Sequence, residues 1–144
     1  MTDNKVSLEV FHEIQQLLGD YAWSYDSRDF VAMSKTFSPD GTLLMLGESY
    51  QGRDIILKHI QDHVNKTHLD KSMQHHISHL KIFRQDNEYR AYSYWIVTGR
   101  LTVDKSCFIG AQGWYEDIIE KTDDQWFFKQ RRLLQGMPDG LPWT

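Results

Sequence analysis

The 144-residue chain has a single cysteine, Cys107, and no run of lysine and arginine. A lone cysteine excludes an internal disulfide and a metal site built from cysteines. The formal net charge of −4 argues against electrostatic binding of nucleic acid or of an anionic membrane. No apolar run approaches the roughly 18 residues of a membrane span, and no charged-then-apolar leader opens the chain. We therefore expect a soluble, cytoplasmic protein without nucleic-acid or membrane partners.

Aromatic residues, by contrast, are abundant. They make up 13% of the chain, with five tryptophans, seven tyrosines and seven phenylalanines. This content indicates a large aromatic core or an aromatic-lined pocket. The length fits one domain, and neither a repeat nor a low-complexity linker interrupts it, so we expect residues 1–144 to form a single domain.

A long amphipathic pattern opens the chain and ends at Asp26. Apolar residues recur at intervals of three and four from Val10 to Tyr25, which predicts a helix from Ser7 to Asp26 with one buried face. Asp26 lies four residues after Ala22, on the buried row. A carboxylate placed there must be hydrogen-bonded, paired with a cation, or protonated. The alternative is that Asp26 turns outward or caps the next helix.

Three more elements follow in the first half of the chain. We predict a short helix over Phe30–Thr36, a turn over Pro39–Gly41, a strand over Thr42–Leu46 and, after a return over 47–52, a third helix. Ser27 or Asp29 is placed to cap the short helix.

The second half is dominated by aromatic and β-branched residues, with turn signals at hairpin spacing. We predict strands over Gln74–Phe83, Tyr89–Leu101, Cys107–Glu120 and Trp126–Leu134. Gly110 and Gly113 indicate a bulge or bend. The order predicts an α+β fold, in which a curved antiparallel sheet wraps around N-terminal helices and leaves a cone with an interior pocket. Large apolar groups on both faces of Tyr89–Leu101 indicate that a second subunit covers the outer face.

Neighbouring histidines open the first long strand. His75 and His76 point to opposite faces, and in a regular strand His79 shares the face of His75. A histidine against Asp26 would form an acid–base pair, although a histidine that only hydrogen-bonds in the core is the simpler alternative. Because His75 and His76 point to opposite faces and no second pair of metal ligands follows in the sequence, we predict no metal and no cofactor.

Two tyrosines and an arginine complete the set of candidates. Tyr21 and Tyr25 are either core aromatics or phenols that hydrogen-bond a substrate oxygen. Strand alternation turns either Arg131 or Arg132 inward, where it would pair with Asp26 or bind an oxyanion. The alternative is that both arginines are solvated near the strand end.

Several segments, in this order and spacing, carry a family resemblance over nearly the whole chain. They are Tyr21–Asp26 with Asp29-Phe30, Phe37–Gly41, Gly52–Ile56, Gln74–Ser78, and Trp126–Phe128 with the arginines behind. The chain resembles the SnoaL-like branch of the nuclear transport factor 2-like superfamily, and within it the scytalone dehydratase-like proteins. The resemblance implies a cone-shaped α+β barrel with a deep apolar pocket.

The resemblance also implies roles for individual residues. His75 is the general base, Asp26 orients it, Tyr21 assists, Tyr25 matches a phenol that holds a catalytic water, and Arg131 matches a last-strand arginine. Met45 stands where scytalone dehydratase-like enzymes have a second tyrosine, and their second pocket histidine falls near Gly99. Scytalone itself is therefore not the expected substrate.

Two functional hypotheses follow. The first is a cofactor-free lyase or isomerase in which the Asp26–His75 pair removes a proton from a small, largely apolar, possibly cyclic substrate. The second is a non-catalytic member of the fold that binds a small ligand or serves as a structural protein. An open pocket with a hydrogen bond between the two residues favours the first. In either case we expect a homodimer or homotrimer.

Overall fold

The computed structural model describes residues 5–67 and 72–143. The helices are α1 (Leu8–Asp26), α2 (Phe30–Ser34) and α3 (Arg53–Asn65). The strands are β1 (Phe37–Met45), β2 (Glu48–Gln51), β3 (Gln74–Gln85), β4 (Glu88–Arg100), β5 (Cys107–Thr122) and β6 (Gln125–Leu134). Helices packed against one curved sheet confirm the predicted α+β class.

The strands form one sheet in the order β2-β1-β6-β5-β4-β3. The last four strands make the predicted antiparallel meander. The prediction of a wholly antiparallel sheet is wrong at one place, because β1 pairs with β6 in parallel. The sheet is open, with β2 and β3 at its edges.

The helix ends follow capping chemistry. The Ser7 side chain accepts a hydrogen bond from the Val10 backbone N–H, so α1 begins where the sequence predicts. Of the two predicted caps for α2, Asp29 is the one observed, and its carboxylate accepts from the Ala32 N–H at 3.0 Å. Asp26 is thus left free of a capping role.

The predicted turn at Pro39–Gly41 is wrong, because these residues lie inside β1. The pairing register between β1 and β6 shifts between Phe37 and Thr42, which marks a bulge. A Cβ atom on Gly41 would lie 2.9 Å from the backbone oxygen of Phe128. The glycine therefore serves a close approach of two strands rather than a reversal of the chain.

Two further bulges shape the site. In β3 the register shifts between Ser78 and Lys81, and His79 has a φ of 57°. His79 is exposed, so the regular alternation that would place it beside His75 does not hold. In β5, Ala111 and Ile109 pair with consecutive residues of β4, which leaves Gly110 as the extra residue and confirms the bulge predicted there.

The core lies between the apolar faces of the helices and the inner face of the sheet. The fully or nearly buried residues include Ile14, Leu18, Met33, Phe37, Leu43, Ile56, Ile60, Tyr115, Ile119 and Phe128. None of the helices within residues 5–67 and 72–143 is long and apolar enough to cross a membrane.

Candidate active site

The end of α1 and the start of β3 bring Asp26 and His75 together. The backbone N–H of His75 donates to Asp26 Oδ2 at 2.8 Å, and His75 Nδ1 lies 2.6 Å from Asp26 Oδ1. The side chains are 17% exposed for Asp26 and 7% for His75. The predicted hydrogen bond is therefore present, and it explains how the carboxylate is tolerated on the inner side of α1.

This geometry defines the state of the imidazole. Because a carboxylate oxygen can only accept, Nδ1 of His75 is the donor, and Nε2 carries the lone pair of the neutral ring. The pair is thus an oriented base with one nitrogen available.

His75 lines a partly enclosed cavity of about 310 Å³. The cavity lies between α1, the second half of α3 and the inner face of the sheet. Its lining is mainly apolar and aromatic, and includes Tyr21, Tyr25, Met45, Ile60, His63, Val64, Met73, Trp95, Val97, Tyr115 and Leu133. A volume of this size suits a small organic molecule.

The two predicted tyrosines flank the imidazole. The ring centroid of Tyr25 lies 4.4 Å from that of His75, and the centroid of Tyr21 lies 6.3 Å from it. Burial raises the pKa of Tyr25, and the neighbouring Tyr21 and Asp26 raise it further. Burial likewise raises the pKa of Tyr21, against the opposing charge of Arg131. Both phenols therefore stay protonated at neutral pH and can donate hydrogen bonds.

The arginine lies behind the cavity wall rather than in it. Arg131 is fully buried, and it donates from Nε and Nη2 to the two carboxylate oxygens of Asp117 at 3.0 and 3.1 Å. Its guanidinium lies 3.6 Å from the ring centroid of Tyr115 and 4.2 Å from that of Tyr21. Its carboxylate partner is thus Asp117, not Asp26.

The two arginines separate as strand alternation requires. Arg132 points outward, and its Nη1 lies 3.8 Å from Glu116. On the inner side, burial raises the pKa of Asp117 to about 6, while the charge of Arg131 acts in the opposite direction. The buried pair holds Tyr21 and Tyr115 in place and does not itself line the cavity.

Several lining residues were missed by sequence reasoning. The most reactive of them is His63, which lies three residues after Ile60 on α3 and so borders the buried stripe of that helix. Helical spacing was the available signal for it. Met45 and Met73 line the cavity, whereas His76 is exposed. Within the described ranges, no three His, Cys, Asp or Glu side chains are grouped to hold a metal ion.

A larger and more open groove of about 900 Å³ runs along the exposed side of α1, beside Trp23 and Trp126. It contains neither Asp26 nor His75. We place the candidate site in the partly enclosed cavity because an apolar enclosure strengthens hydrogen bonds and charges, while an open groove leaves them hydrated.

The sequence matches a known family. The family model described as a SnoaL-like domain matches residues 6–132. The chain therefore belongs to the SnoaL-like family. No functionally curated protein matches it.

Solved structures share the fold. A candidate scytalone dehydratase from Novosphingobium aromaticivorans is 26% identical, with a TM-score of 0.76 over 95% of this chain and 89% of that one. ActVI-ORFA from Streptomyces coelicolor is 20% identical, with a TM-score of 0.78 over 85% and 95%. A protein from Catenulispora acidiphila in complex with S-DNPA is 20% identical, with a TM-score of 0.78 over 88% and 95%.

Proposed function

We propose that the protein is a cofactor-free lyase or isomerase that removes a proton from carbon with the Asp26–His75 pair. The observation that carries this proposal is the 2.6 Å hydrogen bond from His75 Nδ1 to Asp26, on a ring that lines an apolar cavity. The similarity to a candidate scytalone dehydratase supports the dehydratase direction.

The chemistry limits the substrate. An imidazole deprotonates only an activated carbon, so the C–H bond must lie next to a carbonyl group. His75 Nε2 takes the proton, and the electron pair moves onto the carbonyl oxygen as an enolate. The phenol of Tyr25, which stays protonated, donates a hydrogen bond to that oxygen. The enolate then either expels a β-hydroxyl group as water or accepts a proton at another carbon.

The cavity supports a compact and largely apolar substrate, such as a cyclic β-hydroxy ketone. Its volume of about 310 Å³ leaves room for one or two rings, and the phenols of Tyr21 and Tyr25 flank His75. The relative solved in complex with S-DNPA supports the binding of an organic ligand by this fold. We further propose that the protein acts in the cytoplasm as a homodimer or homotrimer.

The test is proton exchange at the carbon next to the carbonyl. β-Hydroxycyclohexanone is incubated with the protein in D₂O, and deuterium incorporation is followed by NMR. His75→Gln and Asp26→Asn should each slow exchange by about 100-fold or more, the usual contribution of an oriented base. His76→Gln is the matched control, because His76 is adjacent but faces outward.

Equal exchange by wild type and His75→Gln would rule out the mechanism. If no member of a panel of cyclic β-hydroxy ketones is exchanged but one binds in the cavity, the chain is a ligand-binding member of the family instead.

A further inference from the structure

A second imidazole lines the same cavity. His63 lies on α3, whereas His75 lies on β3, so two different walls each contribute a histidine. The buried row of α3 is formed by Ile56, Ile60 and Val64, and His63 sits at its edge, partly buried. Burial and the charge of Lys66 dominate the environment of the His63 ring.

Elimination requires an acid as well as a base. Proton removal by His75 forms an enolate, but a hydroxyl group departs readily only when its oxygen is protonated. The three phenols in the cavity wall are weak acids, because burial raises the pKa of Tyr21, Tyr25 and Tyr115. Among the described residues that line the cavity, His63 is the group besides His75 that can release a proton near neutral pH.

Resting on the proposed lyase function, we propose that His63 is the general acid that protonates the departing hydroxyl oxygen. His75 Nε2 breaks the C–H bond and keeps its proton. The electron pair forms the new carbon–carbon double bond as the C–O bond breaks, and the oxygen takes a proton from His63 and leaves as water. No net oxidation occurs. Proton exchange with solvent then returns both rings to their starting states.

The setting of His63 determines the expected pH profile. Burial lowers the pKa of His63 below its ordinary 6.5, and the charge of Lys66 lowers it further. The titratable groups near it are His59 on α3 and Lys66 directly after that helix, and the cavity wall that His63 shares also contains Tyr21, Tyr25, His75 and Tyr115. Because the acid form is lost as pH rises through a lowered pKa, elimination per exchange event should fall as pH rises, and the fall should be centred below pH 6.5.

The experiment separates proton removal from loss of water. β-Hydroxycyclohexanone in D₂O reports the two steps in one NMR sample, as deuterium incorporation and as formation of the unsaturated ketone. His63→Gln should lower elimination by roughly 100-fold relative to deuterium exchange. In this variant the elimination-to-exchange ratio should also no longer decline as pH rises. His59→Gln is the matched control, since His59 lies one turn away and stacks on Tyr50 outside the cavity wall.

The outcomes discriminate between the two proposals. Absence of exchange in the wild-type protein overturns the proposed function. Normal exchange with equal elimination in wild type and His63→Gln overturns only the role of His63. A parallel loss of both steps in His63→Gln assigns His63 to structure and overturns the acid role. If the variant does not fold, the pH profile of the wild-type protein still tests the proposal. An elimination-to-exchange ratio that does not change with pH would contradict it.

Discussion

At the scale of single residues, Asp26 shows how a carboxylate can lie on the buried side of a helix. Both of its oxygens are used by one residue, since the backbone and the ring of His75 each form a hydrogen bond to it. Capping of α2 is performed by Asp29. The family resemblance of the sequence predicted the partner of Asp26, which helical periodicity alone could not have identified.

For Arg131, by contrast, the sequence did not identify the partner of the buried charge. Strand alternation correctly turns one of two adjacent arginines inward, but it does not say which carboxylate meets it. That answer depends on the register of β5 against β6, in which Asp117 lies directly opposite Arg131. Directly opposed residues on one face of a sheet are its closest side-chain neighbours. Register is a long-range property, so of the predicted alternatives the pairing of Arg131 with Asp26 is wrong.

The buried pair predicts a strong stability effect. Arg131→Met leaves Asp117 unpaired in the core, and we expect a loss of about 3–5 kcal/mol in the free energy of unfolding. The lost charge also removes the effect that lowers the pKa of Asp117, which is about 6 in the native chain. Ionisation of a carboxyl with a raised pKa favours unfolding, so the deficit should grow as pH rises above about 6. Urea denaturation on both sides of that pH measures it.

The double variant Arg131→Met/Asp117→Leu is the control for this prediction. It removes both charges together and should recover much of the loss, because well-packed apolar residues replace buried ion pairs at little cost. A single variant as stable as the native chain, at all pH values, would contradict the assignment of a structural ion pair.

At the scale of elements, the strands of the meander were predicted to within a few residues because each is bounded by a turn with its own chemistry. Asp123 and Asp124 both have positive φ, as a tight two-residue hairpin requires. β1 was cut short in the prediction because Pro39 and Gly41 are residues common to turns and bulges alike. Only pairing with β6 distinguishes the two, and that pairing joins distant parts of the chain.

Two glycines allow a matched prediction about packing. A Cβ atom on Gly113 would lie 2.1 Å from the backbone oxygen of Leu134 and 2.8 Å from the ring of Trp95, whereas one on Gly19 of α1 meets nothing within 4 Å. Gly113→Ala should therefore destabilise the fold by about 1–3 kcal/mol or more. Gly19→Ala should stabilise it by about 0.5–1 kcal/mol, because alanine favours a helix interior.

Thermal unfolding of the two alanine variants checks both signs. Trp95 also lines the cavity, so Gly113→Ala should weaken the binding of cavity ligands, while Gly19→Ala should leave it unchanged. A Gly113→Ala variant as stable as the native chain would mean that the approach of β5 to β6 is not as tight as described.

At the scale of the whole molecule, the cavity is assembled from parts that no single stretch of sequence contains. α1 supplies Tyr21 and Tyr25, β3 supplies the base, and α3, β4 and β5 together supply most of the remaining wall. Asp26 and His75 are hydrogen-bonded to each other although they lie 49 positions apart in the sequence. Sequence patterns predicted each element and its inner face, but His63 and Trp95 became site residues only through the way in which the elements pack.

The outer face of the sheet offers the last prediction. Tyr94, Ile96 and Ile109 are 46, 38 and 69% exposed, and their strand positions place them on one patch, because Ile109 pairs with Thr98. A cluster of large apolar groups on an otherwise polar surface is typical of a subunit interface. Ile96→Lys combined with Ile109→Lys should therefore convert a homodimer or homotrimer to a monomer, because two buried charges without partners oppose association.

Light scattering measures the change, with Val103→Lys as the control, since Val103 is 87% exposed in the β4–β5 loop. A wild-type chain that is already monomeric at micromolar concentration would contradict the assignment of this face, and dissociation by the loop variant would place the interface elsewhere.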